Sequence, residues 1–260
     1  MTNQKLPYQE MEINTAEIIV PQYSYQRKLE PWRAKLIAAN FDERIANRPK
    51  VSFRDGNYYA FDGQHTLEAR KILNGGKDLM VTCRVYYGLT EEEEAMLFAK
   101  QFGVSRALSA GDEIRARVCG KDSEAVNFLR ATESLGINLD YTQNLGENRI
   151  GCIRTAFNAY QRVGEENYVE ALRIIQEAWE GVPHSLRREI VRAMAEFVNL
   201  YQREYDRDRL LENLKKNDPL TIYRKGMEMG IRMAGYKKYL YQILLIYNES
   251  DEQSALPLKF

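Results

Sequence analysis

The chain is poor in the residues that build metal and disulfide scaffolds. Its three cysteines, Cys83, Cys119 and Cys152, are odd in number and too far apart for a disulfide framework or for metal-ligand spacing. They read as reduced structural residues. Only two histidines occur, so imidazole chemistry is confined to His65 and His184. Neither sign of charge is in excess, because 37 Lys and Arg balance 37 Asp and Glu. A dedicated nonspecific DNA binder is more often strongly basic, so any contact with nucleic acid must come from a local patch. No apolar run reaches the roughly 18 residues that mark a membrane-spanning helix. The segment Met1 to Glu12 is polar and lacks the apolar centre of a signal peptide. These absences predict a cytoplasmic protein with no membrane partner. What the chain does have is 44% hydrophobic and 28% charged residues in a length of 260, ample for one large domain or two small ones.

The stretch around which the rest is arranged is Tyr58-Tyr59-Ala60-Phe61-Asp62-Gly63-Gln64-His65-Thr66-Leu67-Glu68-Ala69-Arg70-Lys71-Ile72-Leu73. Tyr58 to Phe61 are β-formers. Beyond Gly63, His65, Ala69, Ile72 and Leu73 fall on one face of a helix, which Gly75-Gly76 then stops. A strand that passes through glycine into a helix leaves free backbone N–H groups at the positive end of the helix dipole, a geometry that suits a phosphate. Asp62, Gln64, His65 and Thr66 crowd the same turn. The plainer reading is that glycine serves the tight connection and the polar residues cap the helix.

The elements on either side frame this turn. Met1 to about Asn14 reads as a loosely docked arm, and Glu17 to Val20 as a short strand closed by Pro21. Tyr23, Tyr25, Gln26, Arg27 and Lys28 form an aromatic and basic loop before a helix at about Trp32 to Asn40. Val51-Ser52-Phe53, then Arg54-Asp55-Gly56-Asn57, then Tyr58 to Phe61 has the alternation and turn chemistry of a β-hairpin. Met80 to Tyr87 predicts another strand, and Thr90 caps a helix whose first turn carries Glu91 to Glu94 as dipole partners in solvent. Four consecutive carboxylates point around a helix rather than at one centre, so a metal site here would need the fold to bring Asp62, Glu68 and the Glu91 to Glu94 run together. No metal-ligand set is identified.

This order resembles the ParB/sulfiredoxin superfamily over about the first 110 residues. The matching stretches are Tyr25-Gln26-Arg27, the loop Gly63-Gln64-His65-Thr66, the strand Val81 to Tyr87, the helix from Thr90, and Gln101 to Arg106. Three departures stand out. Thr66 takes the place of the second arginine of the ParB loop, with Arg70 one turn later able to reach back only in part. Gln64 stands where sulfiredoxins carry their reactive cysteine, which argues against sulfinic acid reduction. The second polar box reads Lys100-Gln101-Phe102-Gly103-Val104-Ser105-Arg106, with Arg106 as its arginine. The resemblance implies an α+β fold, with a small mixed sheet in a ParB/sulfiredoxin-like domain at 1–108 and an all-α helical domain at 109–260. It implies phosphate contacts from Arg27, Gly63, Gln64, His65, Thr66, Arg70, Ser105 and Arg106. The ligand expected there is a nucleoside triphosphate, CTP or ATP, with Mg²⁺.

After Arg106 the pattern turns helical. Ser109 or Asp112 caps a helix to about Val118, and another spans about Ser123 to Ser134. A looser stretch from Gly136 to Gly146 has room for a small hairpin. Three apolar stripes follow, from Ile150 to Tyr160, Tyr168 to Trp179 and Leu186 to Tyr201, and read as bundle core. His184 lies before a helix that Ser185 is placed to cap. Between Lys215 and Lys238 the chain is locally basic, and Arg224, Lys225, Arg232, Lys237 and Lys238, interleaved with Tyr223, Tyr236 and Tyr239, suit a phosphate backbone. The plain alternative is a solvated helix face.

The function expected from the resemblance is a nucleotide-dependent DNA-binding or DNA-associated protein of phage, plasmid or mobile-element type. The helical half would supply the DNA surface or a homodimer contact. Two other classes stand beside it. One is a nuclease or nucleotide hydrolase that uses His65 and Asp62 in proton transfer or metal binding. The other is a protein-interaction adaptor that keeps the fold without a nucleotide, a reading that Thr66 in place of arginine favours.

Overall fold

The computed structural model describes residues 8–100, 109–142, 144, 146–230, 233, 235–249 and 254–260. Among these, the chain is mixed α/β, with a five-stranded mixed sheet and eleven α-helices. It divides into two compact units, Met1–Ser123 and Glu124–Phe260. The division falls later than the change of pattern near residue 108, because the helix that Ser109 caps packs on the helix that Thr90 caps.

In the first unit, alternation and turn chemistry build the sheet. Asp55 and Gly56 both take positive φ, 50° and 76°, so the connection between β3 (Lys50–Arg54) and β4 (Asn57–Asp62) twists as a two-residue hairpin requires. The strand β5 (Met80–Tyr87) lies parallel to β3, and β2 (Ile18–Ile19) lies parallel to β4. The arm expected at the N-terminus is instead a strand from Tyr8 onward. β1 (Tyr8–Asn14) pairs antiparallel with β5 at the sheet edge, in the order β1-β5-β3-β4-β2. Its glutamates alternate with Met11 and Ile13, and Ile13 is buried in the core. An edge strand with charged outward residues resists pairing with other chains, and that polarity is what hides it in the sequence.

Neighbouring residues of β4 face opposite sides of the sheet. Ala60 joins Ile13, Val51, Leu67, Val81, Cys83 and Val85, where Leu67 belongs to α2 (Gln64–Leu73). Phe61 joins Tyr25, Leu89, Ala95, Phe98 and Ala116, which brings in α3 (Glu91–Ala99) and α4 (Ala110–Cys119). Thr90 and Glu93 form a reciprocal capping box at the start of α3. Glu94 departs from the solvated role expected of it. Its side chain is fully buried, accepting from Tyr25 Oη at 2.8 Å and from Arg54 Nε at 2.9 Å. Carboxylate, phenol and guanidinium thus tie the loop before α1 (Pro31–Ala39) to the hairpin and to α3.

The second unit opens with α5 (Ser123–Glu133), most of which lies within it. The stretch after it holds no hairpin among the described residues. A two-residue parallel bridge forms between β6 (Asn138–Leu139) and β7 (Arg149–Ile150) instead. Ile150 therefore sits in a bridge, while Ile153 onward forms the helix α6 (Ile153–Val163). The helices α7 (Glu165–Trp179), α8 (Arg188–Leu200), α9 (Arg207–Lys215), α10 (Pro219–Glu228) and α11 (Lys237–Asn248) complete the unit. Every residue from Ile190 to Val198 of α8 is buried except Arg192, because α6, α7 and α11 all pack on it. Arg187 is its N-cap residue, and Ser185 bonds the Val182 carbonyl rather than capping α8. No described helix is long and apolar enough to cross a membrane.

Candidate functional site at the Gly63 turn

Gly63 has φ of 94°, a left-handed conformation that L residues rarely adopt. A Cβ there would lie 2.9 Å from the Pro49 Cα, so both backbone angle and space require glycine. The chain then enters α2 with no side chain capping its N-terminus. The first amides of a helix have no partner within it. Beside this turn lies a small cavity of about 140 Å³ lined by residues of four regions: Gln26, Arg27, Arg33 and Ile37 before and on α1, Asn47 and Arg48 before β3, Asp62 to Thr66 at the turn, and Phe98 on α3.

Two buried side chains define the polar floor. Gln64 is only 5% exposed; its Nε2 donates to the Arg27 carbonyl at 3.1 Å, while its Oε1 is buried without a hydrogen-bond partner. Leaving such an acceptor unpaired costs about 1–3 kcal/mol. His65 accepts the Glu30 backbone N–H at Nε2, 3.2 Å away, which leaves its proton on Nδ1. Burial lowers its pKa to about 4, and Arg27 and Arg33 push in the same direction while Glu30 opposes them. The imidazole is neutral at pH 7, chiefly because burial disfavours its charged form, and the two guanidiniums add to that.

Around this floor the charges are unequally committed. Asp62 takes the Lys50 ammonium at 2.8 Å, and Arg48 is paired with Glu10. Arg33 stands 4.0 Å from Glu30, and its Nη1 is buried without a hydrogen bond. Thr66, half-buried, lines the cavity too. The loop that carries Gln26 and Arg27 is fixed from several sides. Gln26 Nε2 donates to the Ala60 carbonyl at 3.0 Å, and Arg115 of α4 donates to the Gln26 carbonyl at 3.0 Å. A rigid cavity with helix amides and guanidiniums on one side and an unpaired acceptor on another suits a ligand that is anionic at one point and donates a hydrogen bond at another.

The turn brings together Arg27, Asp62, Gly63, Gln64, His65 and Thr66 of the residues predicted from sequence. Arg70 is elsewhere. Its side chain, 14% exposed, bonds Glu43 at 2.7 Å and lies over the Phe41 ring at 4.9 Å, so it is held against the turn after α1 and does not line the cavity. Ser105 and Arg106 lie outside the described residues. Sequence reasoning missed Arg33, Arg48, Gln26 and Asn47. Gln26 and Arg27 are adjacent in the same basic loop, which was a usable signal; nothing in the pattern of α1 singled out Arg33.

Among the described residues no hydrogen bond joins His65 to Asp62, and no cluster of His, Cys, Asp or Glu has the grouping of a metal site. The Nε2 lone pair of His65 is used by the Glu30 N–H, so the imidazole takes a proton there only by breaking that bond, whereas Asp62 meets Lys50 through Oδ2 alone.

The basic residues of the second unit form a different arrangement. Arg224, Lys225 and Lys237 are exposed on α10 and α11. Lys238 is half-buried, with Nζ 3.6 Å from Met227 Sδ and 5.3 Å over the Tyr239 ring. Arg232 lies outside the described residues. The interleaved rings already have protein partners: Tyr223 lies between Arg187 at 3.9 Å and Tyr239 at 5.9 Å, and Tyr236 lies beneath Arg192 at 4.1 Å. A guanidinium thus already lies over one face of Tyr223 and of Tyr236.

The mixed sheet and the glycine-entered helix define an α/β protein with an anion-compatible turn. Residues 20–260 match a family of unknown function, DUF6551, and the chain belongs to that family. None of the curated proteins matches it.

Proposed function

We propose that this chain is a ParB-like, nucleotide-binding and DNA-associated protein whose Gly63 turn holds the phosphates of a nucleoside triphosphate with Mg²⁺. The observation that carries the reading is the buried, unpaired Oε1 of Gln64 beside the uncapped start of α2 and the guanidiniums of Arg27 and Arg33. In this reading the α2 amides and the arginines take the phosphate oxygens. Gln64 accepts from a hydroxyl or from metal-bound water, and neutral His65 holds the Glu30 backbone in place. Arg224, Lys225 and Lys237 meet the DNA backbone as point charges, without stacking. The order of strands and helices in the first unit supports the ParB-like assignment only as resemblance.

Calorimetric titration with CTP, ATP and GTP in Mg²⁺ tests this. Arg33→Ala is the informative variant, because Arg33 is on a formed helix and its loss spares the glycine geometry. At least one nucleotide is expected to bind wild type, with affinity about tenfold lower in Arg33→Ala and circular dichroism unchanged. No binding by wild type to any of the three contradicts the proposal.

A further inference from the structure

Beside the anion cavity lies a second, larger and mostly apolar cleft of about 350 Å³. The outer face of α1 and the turn after it form it, through Leu36, Ile37, Phe41, Ile45 and Ala46, with polar edges from Asn40, Asp42 and Asn47. Ile37, Asn47 and Thr66 line both cavities, so the two adjoin across a wall of one aliphatic, one amide and one short hydroxyl side chain. Leu36 and Ile45 are 55% and 79% exposed. Apolar groups held in water next to a cationic pocket mark a place where a ligand's uncharged part gains by burial.

We infer that this cleft is the seat of the heterocyclic ring of the ligand, with its phosphates at the Gly63 turn. This rests on the phosphate-binding reading above and adds to it the chemistry of the other end. Two features favour a flat heterocycle over an alkyl chain. The amide of Asn47 has no hydrogen bond among those described and stands where the cavities meet, and Asn40 uses its Nδ2 on the Leu36 carbonyl at 3.0 Å while its Oδ1 remains an acceptor. An alkyl chain would desolvate these amides without return, whereas the ring edge of a base pairs with them. A ribose hydroxyl would also supply a donor to the unpaired Gln64 Oε1. Thr66 matters by being short: a longer side chain at this position would fill the junction.

Calorimetry with inorganic triphosphate and with each of the four ribonucleoside triphosphates, all with Mg²⁺, separates the two claims. At least one nucleotide is expected to bind wild type about tenfold tighter than inorganic triphosphate. Ile45→Ser, and independently Leu36→Gln, should erase most of that advantage while inorganic triphosphate binds within about twofold of wild type. Both positions are exposed enough that folding survives. Equal affinity for inorganic triphosphate and all four nucleotides overturns the ring seat and leaves the phosphate site standing. An advantage that persists in both variants also overturns it. Failure of every phosphate compound to bind removes the phosphate site and the inference with it.

Discussion

The Gly63 turn and the α10–α11 surface both gather cations, and they differ in what those cations face. At the turn, Arg27 and Arg33 border a concave floor in which a buried acceptor has no partner. On α10 and α11 Arg224, Lys225 and Lys237 are exposed and Lys238 lies over the Tyr239 ring. Counting charge along the chain favours the second region. Burial favours the first, because an unpaired buried polar group is costly enough to need a reason while a solvated lysine is not. The contrast separates a built pocket from a basic face whose interaction with DNA would be weak, salt-sensitive and free of base readout.

The most severe way to break the comparison is at the glycine. Gly63→Val combines a disfavoured φ with a contact on Pro49, and should cost about 3–5 kcal/mol or prevent folding of the first unit, read as a loss of urea midpoint. A stable Gly63→Val protein would mean that the turn geometry is not required. Next comes Glu94→Ala, which takes from Arg54 its nearest carboxylate, leaving it only the longer pairs with Asp55 and Glu91, and frees Tyr25, and with it the loop carrying Gln26 and Arg27. A loss of about 3 kcal/mol is expected, together with weaker ligand binding; destabilisation with unchanged binding would show that the loop is held by its other bonds alone.

A pH series sharpens the picture of the floor. His65 has a folded pKa of about 4, below its ordinary 6.5, so as pH falls the unfolded chain takes up the proton first. Its contribution is fully present above about pH 6.5 and is lost progressively toward about pH 4, amounting to about 3 kcal/mol. Urea midpoints of wild type and His65→Gln should converge in acid; parallel curves would place the imidazole in an ordinary solvated setting. The smallest effect is expected on the other region. Lys225→Ala with Lys237→Ala should leave nucleotide affinity unchanged and flatten the salt dependence of DNA retention by about two units of log–log slope, measured by fluorescence anisotropy.

Much of the first unit was legible because its signals are local. Asp55-Gly56 marks the hairpin, Gly63 marks the entry to α2, and Thr90 with Glu93 marks the start of α3, each through backbone chemistry that neighbours alone decide. The strand β1 was not legible, because its inward residues, Met11 and Ile13, are outnumbered by polar ones and only pairing with β5 gives them a face. Glu94 read as one more acid at a helix start. Tyr25 and Arg54, distant in sequence, make it a buried anchor. The candidate site divides in the same way: Asp62 to Thr66 could be read from the turn itself, whereas Arg33, Arg48 and Asn47 reach the cavity only through the fold. Arg70, expected to reach back only in part, is instead engaged by Glu43 and Phe41, which lie far from it in sequence.

The central claim is that the Gly63 turn, and not the basic helices, receives the nucleotide's phosphates. Amide chemical-shift mapping on ¹⁵N-labelled protein, titrated with a nucleoside triphosphate and Mg²⁺, tests it most directly. The account predicts saturable shifts of the Gln64, His65 and Thr66 backbone amides and of the Gln64 side-chain amide, with α10 and α11 unmoved. Shifts confined to Arg224, Lys225 and Lys237, with the turn silent, would contradict it.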